Sequence, residues 1–509
     1  MLQVCGCFGI STPLARALII IQRKDETKKE IIVMTKNKIK LLLILAFLVI
    51  VVCCTQMQQP VNNSNNTTAG NVGTSPTPVV CNASADWVNN PQSGPNEIPG
   101  GGANLCQFHQ FSWQWFLALM NATPDNKSRV YQNQQEYPPL QAAGTNSCTA
   151  TNVKTSLFVR TRKDDDNQND FISSDNIKQA GGGATIYDQN RNVVFYEARF
   201  SRGMCALADL PPIIPPPATM FPAGTTEIKV SYRVITPAEA PNYVNINADI
   251  NGDGKPETLG MVGFHLVKST ALHPEFIWAT FEHKQNVPEC QAIPDPNAKP
   301  WSFTSPQCAA QLPNSVNQQQ CSFNNPATPS PTPVISGGTP TQTPTPVISG
   351  GTPTQICRVY HDSTIPGNGT NPGDNQYQAN ITDIDMLNAQ LVGPSGHITT
   401  LPDESPLAVL KNYMLVGALW VNDPTKPATL DNQRGSIQLA NTTMETTHQQ
   451  HPDPHPDGKP NPDGTPFPYT GTSNLRTATN CFACHTYTPD NNVELSHIFT
   501  SILGTAKKK

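Results

Sequence analysis

Cys481-Phe482-Ala483-Cys484-His485, close to the C-terminus, is the stretch around which the rest of the chain is read. Cys-x-x-Cys-His is the attachment signature of c-type haem. The spacing follows from the chemistry. Two thiols one turn apart can add to the two vinyl groups of one porphyrin, and the adjacent histidine offers a ring nitrogen to the iron. With 14 Cys and 11 His in 509 residues, about 0.01 chance matches are expected per chain, so composition does not account for the pattern. A zinc ribbon needs a second Cys-x-x-Cys, and the sequence has none. A thioredoxin-type dithiol follows a strand and has no use for the histidine, whereas residues 471–480 are polar and irregular. The expectation is one covalent haem c, held by Cys481 and Cys484, with His485 as proximal iron ligand. Zinc or a plain disulfide is the remaining alternative.

Haem is attached to this motif outside the cytoplasm, so the chain should carry an export signal. Lys36, Lys38 and Lys40 precede twelve unbroken apolar residues, 41–52. That is a basic segment and a hydrophobic segment of signal-peptide type. Twelve residues are too few to span a bilayer, which takes about 20. Cys53 and Cys54 follow, then a stretch rich in Asn, Gln, Ser and Thr, 55–75. This resembles a bacterial lipoprotein signal, with Cys54 (alternatively Cys53) as the lipidated residue and 55–80 as a tether. The anchor would bind the membrane surface; plain secretion is the alternative. Met34 makes a better start for this signal than Met1, so residues 1–33 read as a mis-assigned start.

The formal net charge is −5 and only 14% of residues are charged. No basic face points to nucleic acid. Cys81, Cys106, Cys148, Cys205, Cys290, Cys308, Cys321 and Cys357 lie between the signal and the haem motif. In an exported chain they predict up to four disulfides, with a local bridge among Cys290, Cys308 and Cys321.

Along the chain, Phe108, Phe111, Trp115 and Leu119 have helical spacing with a wide apolar face. A core helix is expected at 106–121, with His109 structural; the alternative is an aromatic wall beside the haem. Period-two, β-branched and aromatic runs at 156–160, 184–187, 192–196, 227–235, 261–269 and 276–283 predict strands. The last two, joined by 270–275, should pair antiparallel. Helices are expected at 381–391 and 406–420, a strand at 434–439, a short helix at 441–448 and an amphipathic helix at 493–506.

Asp249, Asn251, Asp253 and Glu257 place oxygen side chains at alternating positions among glycines, as a Ca²⁺ loop does. Position twelve is Gly260, not the Glu of an EF-hand, so the match is better to the calcium loops of FG-GAP and dockerin-like modules. A polar hairpin without an ion is the alternative. From 325 to 355 the chain is low in complexity, and Thr-Pro-Val-Ile-Ser-Gly-Gly-Thr-Pro-Thr-Gln at 332–342 recurs at 345–355. Such a composition builds no core and reads as a surface insertion. His448, His451 and His455 sit among Pro, Asp and Gly and read as a solvated loop.

Four segments together resemble a bacterial family of exported single-haem cytochrome c-like proteins. They are Met261-Val-Gly-Phe-His-Leu-Val, Phe276-Ile-Trp-Ala-Thr-Phe-Glu-His, Ala440-Asn-Thr-Thr-Met-Glu-Thr and the closing Cys-x-x-Cys-His. The resemblance runs from about residue 106 to the C-terminus, outside the insertion, and implies export and covalent haem but no substrate. The calcium-like loop and the repeat depart from it.

Only 24 residues follow His485, too few to wrap a haem. The strand-like, Pro-rich chain before it is unlike a four-helix cytochrome. Upstream chain must therefore bury the cofactor. The expected architecture is α+β: a signal (1–54), a tether (55–80), a body (81–324, continued at 356–440), an insertion (325–355) and a haem segment (441–509). Electron transfer to a redox partner protein in the cell envelope is the expected function. The sixth iron ligand is then Met444, with His497 and His265 as alternatives. The rival readings are a peroxidase-like enzyme with an open sixth site, using His265, Glu282 or His283 as acid–base groups, and a lipoprotein in which haem is structural.

Overall fold

The period-two runs in the middle of the chain pair as one eight-stranded antiparallel sheet in the computed structural model. The structure describes residues 80–89, 91, 94–141, 147–148, 157–159, 185–208, 220–251, 253–290, 300–312, 321, 323, 350–358, 376–429, 432–436, 439–446, 481–485, 487–490 and 495–499. The strands are β1 (Phe158–Val159), β2 (Phe195–Phe200), β3 (Thr226–Val234), β4 (Asn245–Ala248), β5 (Glu257–Lys268), β6 (Ile277–His283), β7 (Tyr413–Val421) and β8 (Gln433–Gly435). Their order is β1-β2-β3-β5-β6-β7-β8, and β4 pairs with the first residues of β5. With two long helices packed on one face of this sheet, the chain is α+β.

Successive side chains in a strand face opposite ways, and both faces of this sheet are covered. One face carries Ile228, Val230, Phe264, Leu266, Ile277, Phe281 and Leu415 and is packed by two helices. These are α1 (Leu105–Met120) and α2 (Gln376–Val392). The Asn104 side chain caps α1 by accepting from the Gln107 amide. Phe116 of α1 stacks on Phe281 at 3.9 Å, and Phe108 stacks on Trp420 at 3.9 Å. His109 is buried and meets Asn380 of α2 at 2.7 Å. Burial lowers its pKa to about 4, against the Asn380 contact. The core reading of this helix holds: it packs on the face away from His485.

Three of the expected elements differ. Residues 406–420 do not form a helix; a 3-10 turn at Ala408–Asn412 leads into β7. Tyr-Met-Leu-Val-Gly-Ala-Leu-Trp-Val is apolar on both sides because both faces of β7 are buried, and periodicity cannot separate such a run from a helix. Residues 441–446 form turns rather than a helix, since the Asn441 side chain accepts from the amides of Thr443 and Met444. Residues 185–187 make only an isolated bridge, Tyr187 to Val193. Of the expected C-terminal helix, 497–499 are helical and the remainder lies mostly outside the described residues.

Four disulfides form: Cys81–Cys106, Cys148–Cys205, Cys290–Cys357 and the local bridge Cys308–Cys321. Cys290–Cys357 is flanked by a parallel bridge between Glu289 and Arg358. The end of the second repeat belongs to the body. The Gly350 amide donates to the Arg191 carbonyl, and that of Thr354 to Tyr187.

Cys290 and Cys357 are 67 residues apart. Chain-entropy arguments give a link of that span about 4 kcal/mol at most. Replacing both by Ser is expected to lower the unfolding free energy by about 2–4 kcal/mol in a denaturant titration.

Candidate functional site

The second face of the sheet carries its own set of buried polar strand residues. Pairing aligns them in rows: Glu227, Val267, Trp278 and Leu419; then Lys229, His265 and Thr280; then Ser231, Gly263 and Glu282. All are buried.

The turn 440–446 covers the second and third rows. The Thr442 amide donates to Glu282 Oε1 at 2.7 Å and its hydroxyl to Oε2 at 2.6 Å. Asn441 donates to the Thr280 hydroxyl at 2.9 Å. Thr443 Oγ1 shares a hydrogen bond with Ser231 at 2.7 Å, and Tyr196 donates to the Thr443 carbonyl at 2.6 Å. Gly263 is required beneath this turn. A Cβ there would lie 2.6 Å from Ser231 Oγ, 2.8 Å from Asn441 Oδ1 and 2.8 Å from Thr443 Oγ1. The turn carries Met444, fully buried in one apolar cluster with Trp278, Phe482, Leu495, Ile498 and Phe499.

The C-terminal segment packs beside that turn. A single helical turn, α3 (Cys481–Cys484), sets the two cysteines three positions apart, and the His485 amide donates to the Cys481 carbonyl at 2.9 Å. Trp278 of β6 lies 4.5 Å from the His485 ring and 6.0 Å from Phe482. His485 Nδ1 is 2.5 Å from the Leu495 carbonyl oxygen. A carbonyl only accepts, so Nδ1 holds the proton and Nε2 keeps its lone pair. Burial pushes the pKa of His485 well below the usual range, and the neighbouring His497 and Lys229 charges add to this. A neutral imidazole fixed through Nδ1 is what an iron ligand requires.

His497 stacks on His485 with ring centroids 4.1 Å apart and planes 24° from parallel. His265 Nε2 lies 3.2 Å from Glu445 Oε2. Burial raises the Glu445 carboxyl, but His265, the Asn441 amide and Lys229 together hold it down to about 2. Glu282 has both oxygens engaged, by Thr442 and by Arg358 at 2.9 Å. His283 points away from Glu282. It stacks on Tyr243 at 4.1 Å and meets Tyr413 edge-on, and burial lowers its pKa to about 3.

Buried polar atoms on this face without an aligned hydrogen bond include Glu227 Oε1, Arg233 Nε, His265 Nε2 and Trp278 Nε1. A haem brings an iron, a broad apolar ring and two carboxylates. The face offers a ligand nitrogen, an apolar cluster and unpartnered polar groups. The residues fit the group.

No protein-family model matches the chain, and neither a curated protein nor a solved structure shows significant similarity to it. The reading of the site therefore rests on its own residues.

The calcium-like loop is the turn of the β4–β5 hairpin. Asp249 accepts from the amides of Asp253 (3.2 Å) and Gly254 (2.9 Å), Asp253 accepts from Lys255, and Asn251 donates to Glu257. Among the described residues, no three His, Cys, Asp or Glu side chains are grouped to hold a metal. Cys53, Cys54, His448, His451 and His455 lie outside the described residues. No helix among the described residues is long and apolar enough to cross a membrane.

Sequence reasoning missed Glu227, Lys229 and Trp278 as site residues. The alternation Glu227, Lys229, Ser231, Arg233 was visible, but it reads as a solvated face unless the covering segments are known.

Burial raises the Glu227 carboxyl from 4.5 to about 7, against its Ser496 bond and the Lys229 charge. The folded state then binds this proton more tightly than the unfolded chain. The stabilisation is full below pH 4.5 and is lost as pH rises toward 7. Glu227→Gln should remove a loss on the order of 3 kcal/mol across that window, read as unfolding free energy against pH.

Proposed function

We propose that the chain is an exported monohaem c-type cytochrome that carries electrons in the bacterial cell envelope. The observation that carries this is His485: it follows two cysteines one helical turn apart, is buried against Trp278, and is held by the Leu495 carbonyl with Nε2 left to ligate. When bound, the haem supplies a one-electron iron couple. The chain's own residues attach it at Cys481 and Cys484, orient the proximal imidazole, and exclude water through Phe482, Leu495, Ile498 and Phe499.

Met444 is proposed as the sixth ligand, since its turn is fastened into the same face beside His485. An electron carrier is favoured over a peroxidase-like enzyme because Glu282 is saturated, His283 is stacked between tyrosines and His265 is paired with Glu445. Four disulfides support an oxidising compartment. Lipidation at Cys54, or at Cys53, and a redox partner protein complete the proposal. We also propose that the Asp249–Glu257 hairpin takes Ca²⁺ through Asp249, Asn251, Asp253 and Glu257.

Expressed with haem-maturation machinery, the protein should weigh about 616 Da more than its processed chain and keep a haem stain through denaturing electrophoresis. Bare polypeptide mass with bound zinc would overturn the reading. The ferric protein should show a band at about 695 nm that Met444→Ala removes; its absence from fully loaded wild type would eliminate Met444. Immediate binding of CO or azide would instead point to an open sixth site.

EDTA should lower the melting temperature of the wild type and leave Asp249→Ala unchanged. Equal effects on both would remove the calcium site.

A further inference from the structure

The chain that holds His485 is itself fastened at one residue. Residues 495–499 make three kinds of contact around the motif. The Leu495 carbonyl accepts from His485 Nδ1 at 2.5 Å, and the His497 ring stacks on the imidazole at 4.1 Å. Leu495, Ile498 and Phe499 are buried in the apolar cluster of Trp278 and Phe482. Between the carbonyl and the stacked ring lies Ser496, with no exposure. Its hydroxyl is used in both directions: it donates to the Glu227 carboxyl of β3 and accepts from the Phe499 amide at 2.8 Å. The second bond is an N-cap, and it closes the helical turn at 497–499 that carries His497 and Phe499. The first bond ties that turn to the middle of the sheet, since Glu227 is paired with Phe200 on one side and Val267 on the other.

The tie reaches His485 through the backbone. A peptide unit is planar, so the Leu495 carbonyl and the Ser496 nitrogen turn together. A side chain fixed at Ser496 therefore aims the carbonyl to which His485 Nδ1 donates. Losing the hydroxyl removes a cap worth about 1 kcal/mol. The apolar contacts remain, because Phe499 meets Phe221 edge-on at 5.2 Å and Leu495 and Ile498 are buried. The segment then stays docked while its carbonyl loses its aim. The bond made by one imidazole nitrogen decides which nitrogen carries the proton. A carbonyl partner also raises the basicity of the nitrogen left to ligate. Both effects depend on this one alignment.

We propose that Ser496 and Glu227 are positioning residues for the proximal imidazole: the tie from the C-terminal turn to β3 sets the tautomer of His485 and the strength of its bond to iron. The second effect rests on the haem reading above; the first rests on the chain alone.

The test uses the full chain, haem-free and haem-loaded, as wild type, Ser496→Ala, Ser496→Thr, Glu227→Leu and Ser112→Ala. Thr keeps the hydroxyl. Ser112 is the control, since its hydroxyl is also buried and donates to the Phe108 carbonyl at 2.8 Å, but it lies in α1 across the sheet. In the haem-free chain, nitrogen NMR of isotope-labelled histidines reads the tautomer, with His485 assigned by the signal lost in His485→Gln. Wild type, Ser496→Thr and Ser112→Ala should hold the proton on Nδ1, and Ser496→Ala and Glu227→Leu should show both tautomers. In the loaded protein, spectroelectrochemistry should give Ser496→Ala and Glu227→Leu a higher midpoint potential than the other three, because a less basic imidazole stabilises ferric iron less. A denaturant titration separates this from lost stability: Ser112→Ala should lose stability and keep the potential. Ser496→Ala and Glu227→Leu with wild-type tautomer and potential would overturn the tie and leave the cytochrome reading intact. A changed tautomer with an unchanged potential would overturn the effect on iron. Wild type that takes no covalent haem would overturn the cytochrome reading, and the haem-free tautomer would still decide the tie. If Glu227→Leu does not fold, the Ser496 pair decides alone.

Discussion

Glu282 sits in the middle of the sheet with no exposure, and its carboxylate is the constraint on which the site depends. An ion so placed is tolerated only when its oxygens are fully engaged. Thr442 supplies two hydrogen bonds and Arg358 two more. Those partners come from chain 160 and 76 residues away. One strand residue thereby ties the Met444 turn and the base of the insertion to the same spot. Losing Arg358 leaves charge uncompensated inside the protein, a penalty of about 3–5 kcal/mol, and losing Thr442 leaves two hydrogen bonds to the carboxylate unmade, so the turn has one strongly preferred position.

The sheet acts as a partition. On the helix side, aromatic stacking of Phe116 on Phe281 and Phe108 on Trp420 packs a core that fixes strand positions. On the other side, the same strands present rows of polar groups that receive two late segments of chain. Register converts sequence spacing into this arrangement. Ser231 pairs with Gly263, so the missing side chain at 263 and the hydroxyl at 231 meet the same turn.

How much was legible follows from which signals are local. The Cys-x-x-Cys-His motif, the α1 helix, β3, β5 and β6 and the cysteine pairing as a class were readable, because each is carried by spacing within a short window or by composition. Residues 413–421 were misread because a strand buried on both faces loses its alternation. The Asn441 turn was misread because it is decided by the Asn441 side chain, which accepts from the Thr443 and Met444 amides and donates to Thr280, 161 residues away. Met444 could be picked out, but its confinement with Phe482 and Leu495 is a property of the sheet face. Glu227, Lys229 and Trp278 were invisible as a group because only strand register brings them together.

The ends of the repeat-bearing stretch are fastened independently of what lies between. Cys321 is bonded to Cys308, and Gly350 and Gly351 are held by Arg191. Closing a longer loop between fixed ends costs only about 0.6 kcal/mol per doubling of its length. Units of thirteen residues can therefore be gained or lost by slippage during replication with almost no effect on the body. Copy number there is free to drift, and chains of visibly different length would share one sheet and one set of covering segments.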